Sequence, residues 1–379
     1  MKFIHLSDLH LGKKLHESSL IEDQEYILNE ILQIIDEEKP DGVILAGDIY
    51  DKSIPPVDAV ELFDSFLVSL SKRNINTFVI SGNHDSPERV SCGGKLMEKS
   101  NVYMAPVYSG EVKPISFEDE YGKINVYLLP FVKPSHIRRF YPDEKIESYS
   151  DAMRVAVENM NVDSTVRNVL VTHQFVTGAE LSTSEDIAVG GTDNIDGTIF
   201  KSFDYVALGH IHRPQNVGSE RIRYCGTPLK YSFSEVKQEK SVTAVQLDEK
   251  GSLKVETIPL EPLYDMAELK GTFDEVTSSD YIGRKEHKND YVHIILTDEE
   301  DVPNAMGRLR NYYNKLLWLS YDNKRTSQEQ LVEADENADK KDPLDVFADF
   351  YEQRNNKPMT QEQTKYMKSL IDKIWGENR

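Results

Sequence analysis

Three short runs, Phe3-Ile4-His5-Leu6, Val43-Ile44-Leu45-Ala46 and Thr77-Phe78-Val79-Ile80, each stop at a polar or glycine-bearing turn. Apolar residues fill consecutive positions in them, so each strand needs cover on both faces, and the turns at their carboxyl ends are where a site is expected. Between the runs lie stripes at helical spacing. One is Tyr26, Ile27, Ile31, Ile34 and Ile35, ended by Pro40; the other follows Pro55-Pro56 and repeats Ala59, Val60, Phe63, Phe66, Leu67 and Leu70. On periodicity both read as core-facing. A second block of strands is expected over Ile124–Leu129, Val169–Val171, Tyr205–Leu208, Ile222–Tyr224 and Val242–Val245. The fold class is α/β: a two-sheet layered α/β sandwich with helices outside and the site at one edge.

Five motifs punctuate these runs in order: Asp8-Leu9-His10, Gly47-Asp48, Gly82-Asn83-His84-Asp85, Thr172-His173 and Gly209-His210-Ile211-His212. Singly, an Asp-x-His or a Gly-Asp is a common surface pair or turn. Together they supply hard oxygen ligands mixed with imidazole, a set suited to divalent transition metals of the manganese or iron kind. Side chains two apart on a strand share a face, so Asp8 with His10, and His210 with His212, are expected to aim at one point while Leu9 and Ile211 turn to the core. Gly47 and Gly82 permit tight turns beside the ions. Read from the residues alone, His84 either moves a proton or only hydrogen-bonds its turn.

These residues resemble the calcineurin-like metallophosphoesterase superfamily and, within it, the SbcD family of nuclease subunits from bacterial SbcCD complexes. The likeness is carried by His5-Leu6-Ser7-Asp8-Leu9-His10-Leu11-Gly12 with Leu15-His16 and Glu22-Asp23-Gln24. It is carried again by Ala207-Leu208-Gly209-His210-Ile211-His212 with Tyr224-Cys225-Gly226-Thr227-Pro228 and Tyr231-Ser232-Phe233-Ser234-Glu235, and it runs through almost the whole chain. The resemblance implies two divalent ions, manganese by preference: Asp8, His10, Asp48 and His212 holding one, Asp48, Asn83, His173 and His210 the other, with Asp48 bridging. It implies that His84 donates a proton to the leaving oxygen, with Asp85 as the partner fixing its tautomer. One departure is Asp51, where archaeal and eukaryotic relatives carry a second active-site histidine. The implied activity is 3'-to-5' exonuclease action on double-stranded DNA and endonuclease action on single-stranded and hairpin DNA, in end processing, repair and recombination with an SbcC-type ATPase. A small-molecule phosphodiesterase or protein phosphatase on the same fold is the alternative. A catalytically silent assembly role is disfavoured, because every ligand position and His84 are filled.

Composition bears on this choice. The 379 residues carry a formal charge of −21, and a DNA-binding protein usually presents a basic face. Carboxylates that bind metal count as acidic in that sum, and Lys13, Lys14, Arg89, Arg138, Arg139 and Arg213 sit near motifs or in expected loops, as a local basic rim or as plain solvated surface. A mean hydropathy of −0.52 and 39% hydrophobic content describe a globular chain. No apolar run reaches about 18 residues and the first residues do not read as a signal peptide, so no membrane association and a cytoplasmic location are expected. Cys92 and Cys225 form no Cys-x-x-Cys pair and read as reduced bystanders.

Four segments are expected: a nuclease domain over 1–262, a small α+β capping domain over 263–326, an acidic linker over 327–341 and a C-terminal helical pair over 342–379. The capping unit is built on a strand Tyr291–Leu296, a helix Val302–Tyr313 and a strand Leu316–Tyr321. In the tail, Asp342-Pro343 and Thr360 with Gln363 are helix start signals. Leu344, Phe347, Phe350 and Tyr351 line one helix; Tyr366, Met367, Leu370, Ile371, Ile374 and Trp375 line the other. Helices this short must dock on something, either their own protein or, as the resemblance implies, the coiled-coil base of the ATPase. The resemblance further implies a homodimer through the nuclease domain. The polar loop from Gly178 to Gly197 suits a substrate-facing segment or plain disorder.

Overall fold

The computed structural model describes residues 1–105, 107–180, 182, 193–279, 281, 289–323, 344, 347–348, 351 and 358–376. The chain divides into two compact units, Met1–Asp265 and Met266–Arg379.

In the first unit the apolar runs form two six-stranded sheets. The first contains β1 (Lys2–Leu6), β2 (Gly42–Ala46), β3 (Asn76–Ile80) and β4 (Val102–Met104). The second contains β5 (Ile115–Asp119), β6 (Gly122–Leu129), β7 (Arg167–His173), β8 (Tyr205–Gly209), β9 (Gln215–Val217) and β10 (Ser219–Tyr224). The last two strands of the unit, β11 (Ser241–Leu247) and β12 (Leu253–Pro259), return to the first sheet, giving the orders β12-β11-β1-β2-β3-β4 and β9-β10-β8-β7-β6-β5. β1 through β4 pair in parallel, as do β6, β7, β8 and β10, while antiparallel neighbours occupy the margins. Parallel strands direct all their carboxyl ends to one side.

Burial on both faces explains the unbroken apolar runs. Ile44, Ala46, Phe78 and Ile80 pack with Ile124, Val126, Leu128, Val169, Val171 and Ala207 in the layer between the sheets. The alternate residues Tyr127, Leu129, Leu170, Val206 and Leu208 join Ala152, Met153 and Ala156, which lie on the helix Tyr149–Glu158. A reciprocal Ser148–Asp151 capping box starts that helix, at 3.1 and 3.0 Å. Two further helices, α1 (Ile21–Glu38) and α2 (Val57–Lys72), bury most of the expected stripes, but Tyr26 and Val60, at the margins of those stripes, stay exposed. Arg167, fully buried, is the polar tie of the layer. It donates to both oxygens of Asp119 and, at 2.9 Å, to the Leu247 carbonyl, while the Met1 ammonium stands 2.7 Å from the same carboxylate.

The second unit holds a three-stranded sheet, β13 (Met266–Gly271), β14 (Tyr291–Leu296) and β15 (Leu316–Tyr321), wholly parallel. Ala267, Leu269, Phe273, Val276, Val292, Ile294, Leu296 and Leu309 form its core. The helix expected over Val302–Tyr313 spans only Ala305–Leu309, because Pro303 and Asn304, with φ at 50°, delay its start. Further on, the helix Gln361–Gly376 opens with the expected capping box, Thr360 N–H to Gln363 Oε1 at 2.8 Å and Gln363 N–H to Thr360 Oγ at 3.3 Å. The linker 327–341 and most of the helix expected from Asp342 lie outside the described residues. Among the described residues no helix is long and apolar enough to cross a membrane.

Candidate metal centre

The site is built at and just past the strand ends, with His173 the last residue of β7 and the others on loops. β1 stops at Leu6 and β8 at Gly209, so the strand alternation expected to pair Asp8 with His10, and His210 with His212, is not what aligns them. The backbone turns instead through left-handed conformations at Asp8 (φ 52°), His10 (φ 43°) and Asp48 (φ 48°), with His210 at φ 103°. Such conformations in non-glycine residues are strained and persist where the surroundings over-determine them. Here N–H groups of Asp8, His10 and Leu11 donate to the carbonyls of Gly47, Asp48 and Ile49 at 2.9–3.0 Å, zipping the first two motif loops together. Leu9 and Ile211 do turn into the core. A Cβ on Gly82 would overlap the Asp48 carboxylate, which accounts for glycine there.

The loops bring all seven sequence-predicted ligand residues together. Ligand atoms of Asp8, His10 and His212 lie within 4.8 Å of one another, and so do those of Asp8, Asp48 and His173 and those of His10, Asp48 and His84. His10 Nε2 faces His212 Nε2 at 3.2 Å, and His173 Nε2 faces Asp48 Oδ2 at 3.3 Å. Asn83 Oδ1 sits 3.1 Å from His173 Nε2 and 2.8 Å from His210 Nδ1. Two imidazole nitrogens 3.2 Å apart repel unless a proton or cation lies between them. With two fully buried carboxylates alongside, the donor set fits divalent cations.

Electrostatics divide the set. Burial pushes Asp8 up to about 6 against the pull of His173. Asp48 is buried as well, yet His173 and His10 hold it well below the ordinary carboxylate range. Burial works against a charge on His173, but Asp48 and Asp8 raise it to about 9. His210 is driven down to about 3, and His10 well below its usual value, chiefly by burial. The pocket therefore favours anionic carboxylate at Asp48 and neutral imidazole at His10 and His210, the forms in which these groups bind metal, whereas His173, held as an imidazolium beside Asp48, would give up its proton on binding one.

Outer contacts orient this set. His173 Nδ1 meets the Ala46 carbonyl at 2.8 Å, and His212 Nδ1 faces Glu235 Oε1 at 3.4 Å. Ser7 Oγ donates to Asp8, and the His210 N–H donates to the same carboxylate at 3.0 Å. His84, like Asn83, remains partly exposed. Its N–H donates to Asp48 Oδ1 at 2.9 Å, its Nδ1 lies 3.1 Å from the Asp51 carbonyl, and its Nε2 is 3.9 Å from Asp48 Oδ2. Asp85, expected as its tautomer-fixing partner, aims its carboxylate elsewhere: it accepts from the backbone N–H of Gly82, Ile49 and Tyr50 at 2.9–3.0 Å. Those bonds join the second and third motif loops, and burial pushes the group up to about 6.

Two further residues, Asp51 and Glu235, stand beside the cluster without having been marked by sequence as part of it. Asp51 Oδ1 lies 3.8 Å from His10 Nδ1 and 2.7 Å from Lys13 Nζ; its only sequence signal was a departure from relatives. Glu235 lay in the Tyr231–Glu235 run with nothing to distinguish it. Two cations of the expected basic rim are tied to carboxylates, Lys13 to Asp51 and Arg213 to Glu180. Cys92 and Cys225 are free thiols. The loop Gly178–Gly197 is closed by parallel pairing of Phe175–Val176 with Asn194–Ile195, but its residues 181 and 183–192 lie outside those described, and the substrate-facing reading falls there.

Comparison with known proteins gives two family matches. Residues 1–214 match the calcineurin-like phosphoesterase family, and residues 262–355 match the family described as Type 5 capsule protein repressor C-terminal domain, SbcD_C. The SbcD subunit of the nuclease SbcCD from Staphylococcus epidermidis (strain ATCC 12228 / FDA PCI 1200) is 31% identical over 381 residues, covering 99% of each chain. Its namesake from Staphylococcus saprophyticus subsp. saprophyticus is 31% identical over 384 residues, covering 100% of this chain and 99% of that one.

Proposed function

The chain belongs to the SbcD family of calcineurin-like phosphoesterases, and from that premise we propose that it is a manganese-dependent DNA nuclease subunit. Its reactions are 3'-to-5' exonuclease action on duplex ends and endonuclease action on single-stranded and hairpin DNA, performed with an SbcC-type ATPase. The observation that carries this reading is the convergence of Asp8, His10, Asp48, Asn83, His173, His210 and His212 at one edge of both sheets, with His84 beside them.

Asp8, His10, Asp48 and His212 would hold one divalent ion, and Asp48, Asn83, His173 and His210 the other. Bound there, the pair would lower the pKa of a water and offset charge on the phosphodiester. The chain's own part is positional and protic. Asp48, shared by the clusters, is oriented by the His84 N–H, which donates to its Oδ1 at 2.9 Å. With His84 Nδ1–H donating to the Asp51 carbonyl, Nε2 is the atom left to pass a proton to the leaving oxygen. Asp85 acts one step back, holding the loops that carry Asp48 and Asn83.

The C-terminal segment 342–379 supplies the ATPase contact, and the nuclease domain supplies a homodimer contact, for which Ile54 and Val57, 70% and 73% exposed, are available apolar groups. The cytoplasm is the expected location. The charge of −21 favours a second reading, a phosphodiesterase or phosphatase acting on small molecules or phosphoproteins. Purified chain and His84→Ala, given hairpin DNA, a small chromogenic diester and a phosphoprotein with and without manganese, separate the two. Manganese-dependent DNA cutting that the substitution abolishes supports the nuclease; turnover confined to the other substrates contradicts it.

A further inference from the structure

We infer that the buried pair Glu235–Lys240 is a positioning device for His212, an inference that rests on the ligand role proposed for that histidine. Glu235 is fully buried and Lys240 5% exposed. Lys240 Nζ donates to Glu235 Oε2 at 2.6 Å, Thr227 Oγ at 2.7 Å, Gln238 Oε1 at 2.9 Å and the His212 carbonyl at 3.0 Å. The other carboxylate oxygen, Glu235 Oε1, faces His212 Nδ1 at 3.4 Å, and the Thr227 N–H adds a 3.1 Å bond to the same His212 carbonyl. The pair thus grips His212 at both its backbone and its ring.

A carboxylate only accepts hydrogen bonds, so it selects the tautomer with the proton on Nδ1. That leaves the Nε2 lone pair, the atom facing His10 Nε2 at 3.2 Å, as the ligand. Carboxylate partners of this kind fix ring orientation in metal sites and raise the basicity of the ligand. Lys240, with its ammonium 2.6 Å from Glu235 Oε2, is the opposite charge that a carboxylate buried this deeply needs. The two residues arrive from separate places, the short turn Phe233–Glu235 and the residue just before β11, and neither belongs to the metal-holding groups found among the described residues. They act through His212 rather than on the substrate.

Manganese titration of the full-length protein, followed by electron paramagnetic resonance, tests this. Glu235→Gln keeps the shape but lets an amide N–H turn toward the ring. Because it also strips Lys240 of its counter-charge, the double variant Glu235→Leu with Lys240→Met removes both charges at once. Each is expected to weaken one of two bound manganese ions by about tenfold or more and to leave the other unchanged. Wild-type affinity for both ions in either folded variant overturns the inference, and so does failure of both variants to fold, which would make the pair a structural requirement only. His212→Ala is the control: if it too binds both ions normally, the ligand reading of His212 fails instead.

Discussion

His84 and Asp85 are neighbours with opposite tasks. The His84 ring stays partly exposed beside Asp48, whereas the Asp85 carboxylate is spent on three backbone N–H groups. Replacing His84 with Ala should lower DNA cleavage about 10²- to 10⁴-fold, the usual contribution of a positioned general acid. Manganese stoichiometry, read by the same resonance titration, should stay at the wild-type value; loss of an ion would make His84 a ligand instead. The seven residues that converge were legible in the motifs, because oxygen and imidazole donors recurring after apolar runs have few other uses. The roles of Asp85, Asp51 and Glu235 were not. Each depends on which loop lies opposite, and spacing along the chain does not encode that.

At the scale of elements, the buried strands were legible because both faces are covered, which leaves apolar residues in consecutive positions at Val43–Ala46, Phe78–Ile80, Val169–Val171 and Val206–Leu208. Harder to see was the partner of β11, which pairs antiparallel with β1 across more than two hundred residues. The left-handed turns were also invisible, since aspartate and histidine do not advertise positive φ as glycine does. Gly82 supports a prediction here. Its missing side chain makes room for the Asp48 carboxylate, so Gly82→Ala must displace either that carboxylate or the loop. We expect DNA cleavage and manganese binding to fall together, with far-ultraviolet circular dichroism unchanged. Normal metal binding in this variant would mean that the third motif loop can give way without disturbing Asp48.

For the molecule as a whole, polar ties and the tail set the expectations. Arg167 first, and the Met1 ammonium with it, hold the Asp119 carboxyl well below the ordinary carboxylate range. A depressed folded pKa stabilises the fold above the unfolded value, roughly pH 4, and that contribution is lost as the pH falls through the folded value. Asp119→Asn should therefore lower the thermal midpoint at pH 7 and flatten its fall between about pH 4 and pH 2. An unaltered acid limb would show that the pair contributes nothing to acid stability. Deleting residues 342–379 should abolish co-purification with the ATPase partner while sparing manganese-dependent turnover of a small diester; retained co-purification would place that contact elsewhere. The measurement closest to the central claim is a crystal soaked in manganese, with the ions located by their anomalous scattering. Two ions per chain are expected, both touching Asp48 and divided between the clusters of His10 with His212 and of His173 with His210. An empty pocket, or a single ion that leaves Asp48 free, would contradict the dimetal assignment.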